Sequence, residues 1–483
     1  MNNNKFKLIY GEFSGIERKA VEFTAANFMG ELGIVIPTEK AENVAESDLK
    51  GCNLIVVGTV ESNCILKTLS EKGFYKPNCK KEGYSIKIAD NPYDGENKII
   101  IVCGSDDNGT LYGAAELIES VIPYLDNIDA EQRYPDVTFD NEFFKDYEVQ
   151  DSPSFKMRGI WSWGHVVYDY RRYIENMAHL KMNTLILWND HVPLNIDDVI
   201  EEAHSWGIKI YLGFSWGWNE ARPENGGLDI SDEDKLLKIQ DSIIENYKNN
   251  YRNLDIDGIY FQSFTETEKD EINHVVIAER VVKFVNDTAE KILSISPNLA
   301  VMFGLHASSV SDKIEYIKKT DKRVMIVWED AGAFPYSYTP RKLEDYDKTV
   351  EFSAKIAVLR GGNERFGVVT KGLTCLDWLS FSHLKGEFVM GKQQDFRERR
   401  TREKEKLWKY IDAYWVKNAK YAYDVFKALR RSNPDTMVTA LIEDGMFEEE
   451  IHKSAAIFAG MLWDTESDVD ELVLKASIRN DVK

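Results

Sequence analysis

From Phe155 onward the chain repeats one pattern: a short apolar run, a polar junction, then a segment of helical periodicity, at intervals of roughly 25 to 50 residues. The runs are MRGIWSW (157–163), NTLILW (183–188), KIYLGF (209–214), GIYFQ (258–262), LAVMFG (299–304), RVMIVW (323–328), FGVVT (366–370) and a weaker GEFVMG (386–391). Uninterrupted apolar runs belong to strands buried on both faces, which requires a parallel sheet covered by helices. Those helices are legible in YRRYIENMAHL, in DDVIEEAHSWG with Gly207 as its C-terminal stop, in EDKLLKIQDSIIENY and in AERVVKFVNDTAEKIL. Eight strand–helix units predict an α/β fold of the (β/α)8 TIM-barrel type over residues 149–395.

Two further regions flank this repeat. Residues 1–148 mix strand-like runs (KFKLIYG, NLIVVGT, YSIKIAD, KIIIVCG) with the helical segments AVEFTAANFMGELG and GTLYGAAELIESVI, which predicts a small α/β sandwich domain. The charged, aperiodic stretch from Asn127 to Pro153 reads as the linker. Residues 396–483 show apolar positions at spacings of three and four and read as a C-terminal helical region packed on the barrel, the expected surface for any self-association into a homo-oligomer. Its basic run, Arg397 to Lys406, is interrupted by Glu398, Glu403 and Glu405, so it reads as a solvated helix face.

Composition narrows the partners. Acidic residues outnumber basic ones by 81 to 60, giving a net charge of −21, which repels nucleic-acid backbones and anionic membranes. No apolar run reaches the ~18 residues of a membrane span, and the N-terminal residues lack a signal-peptide core. The five cysteines, Cys52, Cys64, Cys79, Cys103 and Cys375, form no CxxC pair and read as reduced thiols. The expectation is a soluble, cytoplasmic protein without a nucleic-acid or membrane partner.

In a barrel of this kind the loops after the strands' C-terminal ends build the site, so the polar residues directly after each run are informative. They are Trp163 and His165 after the first run, Asn189, Asp190 and His191 after the second, and Trp216 after the third. Glu266 and Glu268 follow the fourth, His306 the fifth, Glu329 and Asp330 the sixth, and Lys371, Asp377 and Trp378 the seventh. Carboxylates beside tryptophans suit a sugar, because aromatic faces pack on pyranose C–H faces while carboxylates bind hydroxyls and supply acid and base. Bland alternatives stand beside these readings. A tryptophan closing a barrel strand can be a core plug, a strand-end histidine can be scaffold, and Glu268 can belong to the acidic first turn of a helix. Successive residues leaving a strand point to opposite sides, so Glu329 and Asp330 are expected to differ in role.

Other chemistries lack their signatures. No HExxH or Cys/His spacing lies near the barrel loops, no GxGxxG follows a strand, and neither GxxxxGK[ST] nor GxSxG occurs. No metal and no cofactor are expected.

The order of parts, a small α/β domain ending in GTLYGAAELIE and a short linker into SPSFKMRGIW, resembles family 67 α-glucuronidases and the family 20 and 84 hexosaminidases over roughly residues 1–390. The resemblance is architectural except around the closing helix and the first barrel strand. It implies a glycoside hydrolase acting on an oligosaccharide or glycoconjugate. By similarity to family 67, DGIYFQSFTE puts the general acid on Glu266, and Glu329 and Asp330 are the nearest candidates for the base. Hexosaminidases that use the substrate's acetamido group carry adjacent acids after strand 4, where this chain has Glu-Thr-Glu. The α-glucuronidase-like reading therefore stands first. An N-acetylhexosaminidase-like hydrolase and a non-catalytic carbohydrate-binding barrel are the alternatives.

Overall fold

The computed structural model describes residues 6–32, 35–123, 144–163, 167–189, 191–217, 220, 229–264, 269–306, 313–329, 346–375, 386–391, 394–448 and 450–482. The N-terminal region forms a six-stranded sheet from β1 (Phe6–Tyr10), β2 (Thr38–Lys40), β3 (Asn53–Thr59), β4 (Tyr84–Asp90), β5 (Lys98–Gly104) and β6 (Tyr147–Asp151). Their order is β2-β1-β3-β5-β4-β6, with β4 antiparallel to both its neighbours. Helices Gly15–Leu32, Cys64–Glu71 and Asp107–Glu116 accompany it, the last two started by Asn63 and Asp106, whose side chains accept first-turn backbone N–H bonds.

Eight parallel strands then close into a barrel: β7 (Met157–Trp163), β8 (Thr184–Trp188), β9 (Lys209–Gly213), β10 (Gly258–Gln262), β13 (Ala300–His306), β14 (Val324–Glu329), β15 (Phe366–Leu373) and β16 (Thr436–Ile442). The short strands β11 (Glu271–Ile272) and β12 (Val275–Val276) pair with each other outside it. The runs TLILW of β8 and VMIVWE of β14 are buried at every position, as strands covered on both faces require. The lumen is a packed core of Trp161, Trp163, Ile186, Trp188, Tyr211, Tyr260, Met302, Met325, Val327, Val369, Met437 and Leu441.

Two boundaries differ from the sequence expectation. GEFVMG (386–391) is not a strand of the barrel; the eighth strand is TMVTALI at 436–442, so the barrel runs past residue 395 and into the region read as purely helical. Residues 386–391 instead cover the helix Ile196–Ser205: Phe388 O accepts from Leu194 N–H at 2.8 Å, and Met390 exchanges bonds with the Asn195 side chain at 2.7 and 2.9 Å. The helix Gln394–Ser432, kinked at Asn418, is the long crossover into β16. The boundary at 148 likewise cuts β6, which belongs to the N-terminal sheet although it lies in the stretch read as linker.

The N-terminal domain seats on the end of the barrel where the strands begin. Arg158, on β7 and 1% exposed, donates to Glu82 at 2.8 Å, and Asn183 donates to the same carboxylate at 3.1 Å. The Arg158 guanidinium also lies 5.1 Å from the ring of Trp463, on the C-terminal helix Lys453–Trp463. A second ion pair, Lys181 to Glu116 at 2.5 Å, crosses the same interface. No helix among the described residues is long and apolar enough to cross a membrane.

Candidate active site

Along β14 the side chains alternate. Met325 and Val327 enter the lumen, while Ile326 and Trp328 join the outer core, where Trp328 meets Phe352 at 5.1 Å between ring centroids. Glu329 therefore enters the barrel, in its layer nearest the strands' C-terminal ends, and is fully buried. A buried carboxylate needs partners, and Glu329 has them on every side. Tyr260 Oη donates to Oε1 at 2.5 Å, Gln262 Nε2 donates to both oxygens at 2.5 and 2.6 Å, and Lys371 Nζ lies 3.6 Å from Oε2. Gly304, on the strand between β10 and β14, makes this meeting possible, since a Cβ there would run into both Tyr260 Oη and Glu329 Oε1. Burial, reinforced by the adjacent Glu329 carboxylate, pushes the Tyr260 hydroxyl well above its usual range, so it remains a donor.

His306 lies beside Glu329 in register at the end of β13. Burial, reinforced by the Lys371 ammonium and opposed by Glu329, lowers its imidazole to about 4, so it is neutral at ordinary pH. Gln262 Oε1 and Ser263 Oγ, at the end of β10, are buried with no hydrogen-bond partner among the described residues.

The tryptophans go to the core. Trp163 stacks on Trp161 in the lumen at 6.2 Å and 14° and is 7% exposed. Trp216 is fully buried and lies flat on Phe261 at 3.6 Å in the layer between strands and helices, so its face is not available to a sugar. The expected platform role is thus corrected for Trp216, and Trp163 is chiefly a lumen plug. Asn189 is buried just after β8, whereas His191, two residues on, is exposed. Lys371 is buried and oriented by Glu329, with its ammonium 5.8 Å from the Trp161 ring. His165, Asp190, Glu266, Glu268, Asp330, Asp377 and Trp378 lie outside the described residues.

A second acidic position emerges after β16. Glu443, 1% exposed, accepts from Thr374 Oγ1 at 2.7 Å, from the Cys375 N–H at 2.9 Å and from Lys404 Nζ at 2.8 Å. Burial alone would raise its carboxyl, but these donors hold it below the usual carboxylate range. Asp444 beside it is paired with Arg400. Arg400 and Lys404 both come from the basic run expected to be solvated, so that face is partly turned inward against this acid pair. The signal was present in sequence: ALIED repeats the IVWED pattern of an apolar run followed by two acids. Tyr260 and Gln262 were missed because both lie within the apolar run GIYFQ itself.

Comparison with known proteins gives three findings. A sequence profile of the S-layer like family, outer domain, matches residues 15–121. No curated protein matches the chain. Among solved structures, the fold is similar to a β-N-acetylhexosaminidase of Bacteroides fragilis, with 12% identity, TM-score 0.51 and coverage of 96% of this chain and 88% of that one. It is also similar to a family 20 exo-β-N-acetylglucosaminidase of Vibrio harveyi, with 10% identity, TM-score 0.51 and coverage of 98% and 73%. At such identities the likeness is one of fold.

Proposed function

We propose that this protein is a glycoside hydrolase releasing a terminal N-acetylhexosamine-type sugar from an oligosaccharide or glycoconjugate. The observation that carries the reading is a carboxylate, Glu329, held by a tyrosine, a glutamine and a lysine in the last layer of a closed parallel barrel. The likeness over nearly the whole chain to two hexosaminidases supports this sugar class over a uronic acid. A uronate needs a cation, and in the described part of the mouth His306 is neutral while Lys371 is engaged with Glu329.

In this reading Glu266 is the general acid. Glu329, the one of the two later acids that enters the barrel, takes the later-strand carboxylate role and positions Tyr260 and Gln262, whereas Asp330, leaving the strand to the opposite side, is expected to serve as scaffold. After β10 the chain reads Glu-Thr-Glu rather than the adjacent acids of acetamido-assisted catalysis.

The test is a panel of aryl N-acetylhexosaminides and aryl glucuronides with the purified chain. N-acetylhexosaminide cleavage is expected, and Glu266→Gln should lower turnover by ~10²–10⁴ on substrates with poor leaving groups. Glu329→Gln should lower both turnover and melting temperature, because its new amide N–H₂ faces that of Gln262, while Asp330→Ala should mainly change stability. Cleavage of glucuronides only would restore the α-glucuronidase reading, and sugar binding without turnover would leave a carbohydrate-binding barrel.

A further inference from the structure

At the opposite end of the barrel from the candidate active site, three parts of the chain converge on one imidazole. Glu119 lies in a single π-helical turn, Leu117–Val121, that ends the N-terminal domain's last described helix. His179 closes the first barrel helix, Tyr170–His179. Asp481 comes from the C-terminal segment after the helix Val469–Ile478. One ligand atom from each lies within 4.8 Å of the other two. His179 Nδ1 is 3.8 Å from Glu119 Oε1 and 3.8 Å from Asp481 Oδ2. The three side chains are 5–8% exposed.

His179 itself points to a ligand. Its side chain is more than nine-tenths buried, yet neither ring nitrogen has a hydrogen-bond partner among the described residues. A buried imidazole normally satisfies at least one nitrogen. The ring is held in place by Phe23, 4.6 Å away between centroids, and by Trp206 at 6.3 Å. Nε2 faces Glu175 at 3.9 Å, which leaves Nδ1 directed at the two carboxylates. Asp481 is oriented by Arg479, whose guanidinium donates to both its oxygens at 2.6 and 2.8 Å and to the His179 carbonyl at 3.1 Å. Asn480 N–H donates to Glu119 O at 3.2 Å, tying the C-terminal segment to the π turn.

We propose that Glu119, His179 and Asp481 form a structural site for one divalent transition-metal ion of the zinc class. One imidazole and two carboxylates are a zinc-type donor set, with bonds of ~2.0–2.2 Å. Bonds of that length and N···O separations of 3.8 Å correspond to ligand–metal–ligand angles of about 120–145°, wider than the tetrahedral value. Arg479 holds one ligand and offsets part of the acidic charge, so the site favours ions that bind imidazole strongly over Mg²⁺ or Ca²⁺. Bound there, the ion cross-links the N-terminal domain, the barrel and the C-terminus. The separations of 60 residues from 119 to 179 and 302 from 179 to 481 hide this set from motif inspection.

The experiment uses the full chain after chelator treatment and dialysis, titrated with Zn²⁺ and Co²⁺ by calorimetry and by thermal melting, with Mg²⁺ as control. One equivalent is expected to bind, with a rise in melting temperature of about 2–5 °C at saturation, a Co²⁺ visible spectrum of nitrogen–oxygen ligation, and no response to Mg²⁺. His179→Gln should abolish the Co²⁺ spectrum and the thermal shift, and Glu119→Gln should weaken binding at least tenfold. Should either variant misfold, extended X-ray absorption on wild-type protein with one Zn²⁺ must show one imidazole and oxygen donors. No stoichiometric binding, equal binding of Mg²⁺, or wild-type affinity in His179→Gln would each overturn the site.

Discussion

At the scale of single residues, the polar side chains of the barrel mouth are set by what burial demands. His306 is the clearest titration case. Its folded value of about 4 lies below the 6.5 of an exposed imidazole, so between these values the unfolded chain binds the proton and the folded one does not. Stability should therefore fall as pH drops from about 6.5 towards 4, by an amount on the order of 1–3 kcal/mol from this residue. Urea melts of wild type and His306→Gln across pH 4–7 check this. The variant should show a shallower loss on the acid side, and parallel curves would contradict the assignment.

At the scale of elements, the position of the eighth strand decides where the catalytic domain ends. β16 pairs with β15 on one side and β7 on the other, so without it both neighbours become open edges carrying apolar side chains. A chain truncated at residue 395, where the sequence pattern suggests the barrel stops, should aggregate or remain unfolded. Expression followed by size-exclusion chromatography and circular dichroism checks this, and a monomeric, cooperatively melting fragment would contradict it. GEFVMG misled because it is short, glycine-bounded and extended, which are the marks of a strand. TMVTALI is the longer run, but it sits after a 39-residue helix that makes the surrounding region read as all-helical. The acid pair Glu443 and Asp444 went unnoticed for the same reason: a residue reads as part of a site only once its strand is recognised.

At the scale of the whole molecule, charged groups at the domain interface are buried as completely as the core. Arg158 makes bonds to Glu82, to the Lys181 carbonyl and to the Phe155 carbonyl, and lies against the rings of Tyr112 and Trp463. Breaking a buried pair leaves an uncompensated charge, typically worth about 3–5 kcal/mol, whereas replacing both partners is far milder. Arg158→Met should therefore destabilise the whole chain by about that amount, and Arg158→Met with Glu82→Leu should recover part of it. Guanidinium unfolding followed by tryptophan fluorescence checks this, and additive single losses would contradict the coupling.

The chain's own sequence determined seven of the eight barrel strands, the α/β class of the N-terminal region and the place where polar residues follow strands, because apolar runs and helical periodicity are local properties of consecutive residues. What only tertiary structure decided was direction and company. The sequence could not tell that Trp216 lies flat on Phe261 in the outer layer while Glu329 faces Tyr260, Gln262 and Lys371, since the choice between lumen and outer layer is made by strand register and twist. Nor could it bring Glu119, His179 and Asp481 together, because contacts across 60 and 302 residues arise from the closure of the barrel and the seating of the N-terminal domain and the C-terminal segment at its base, which no local pattern encodes.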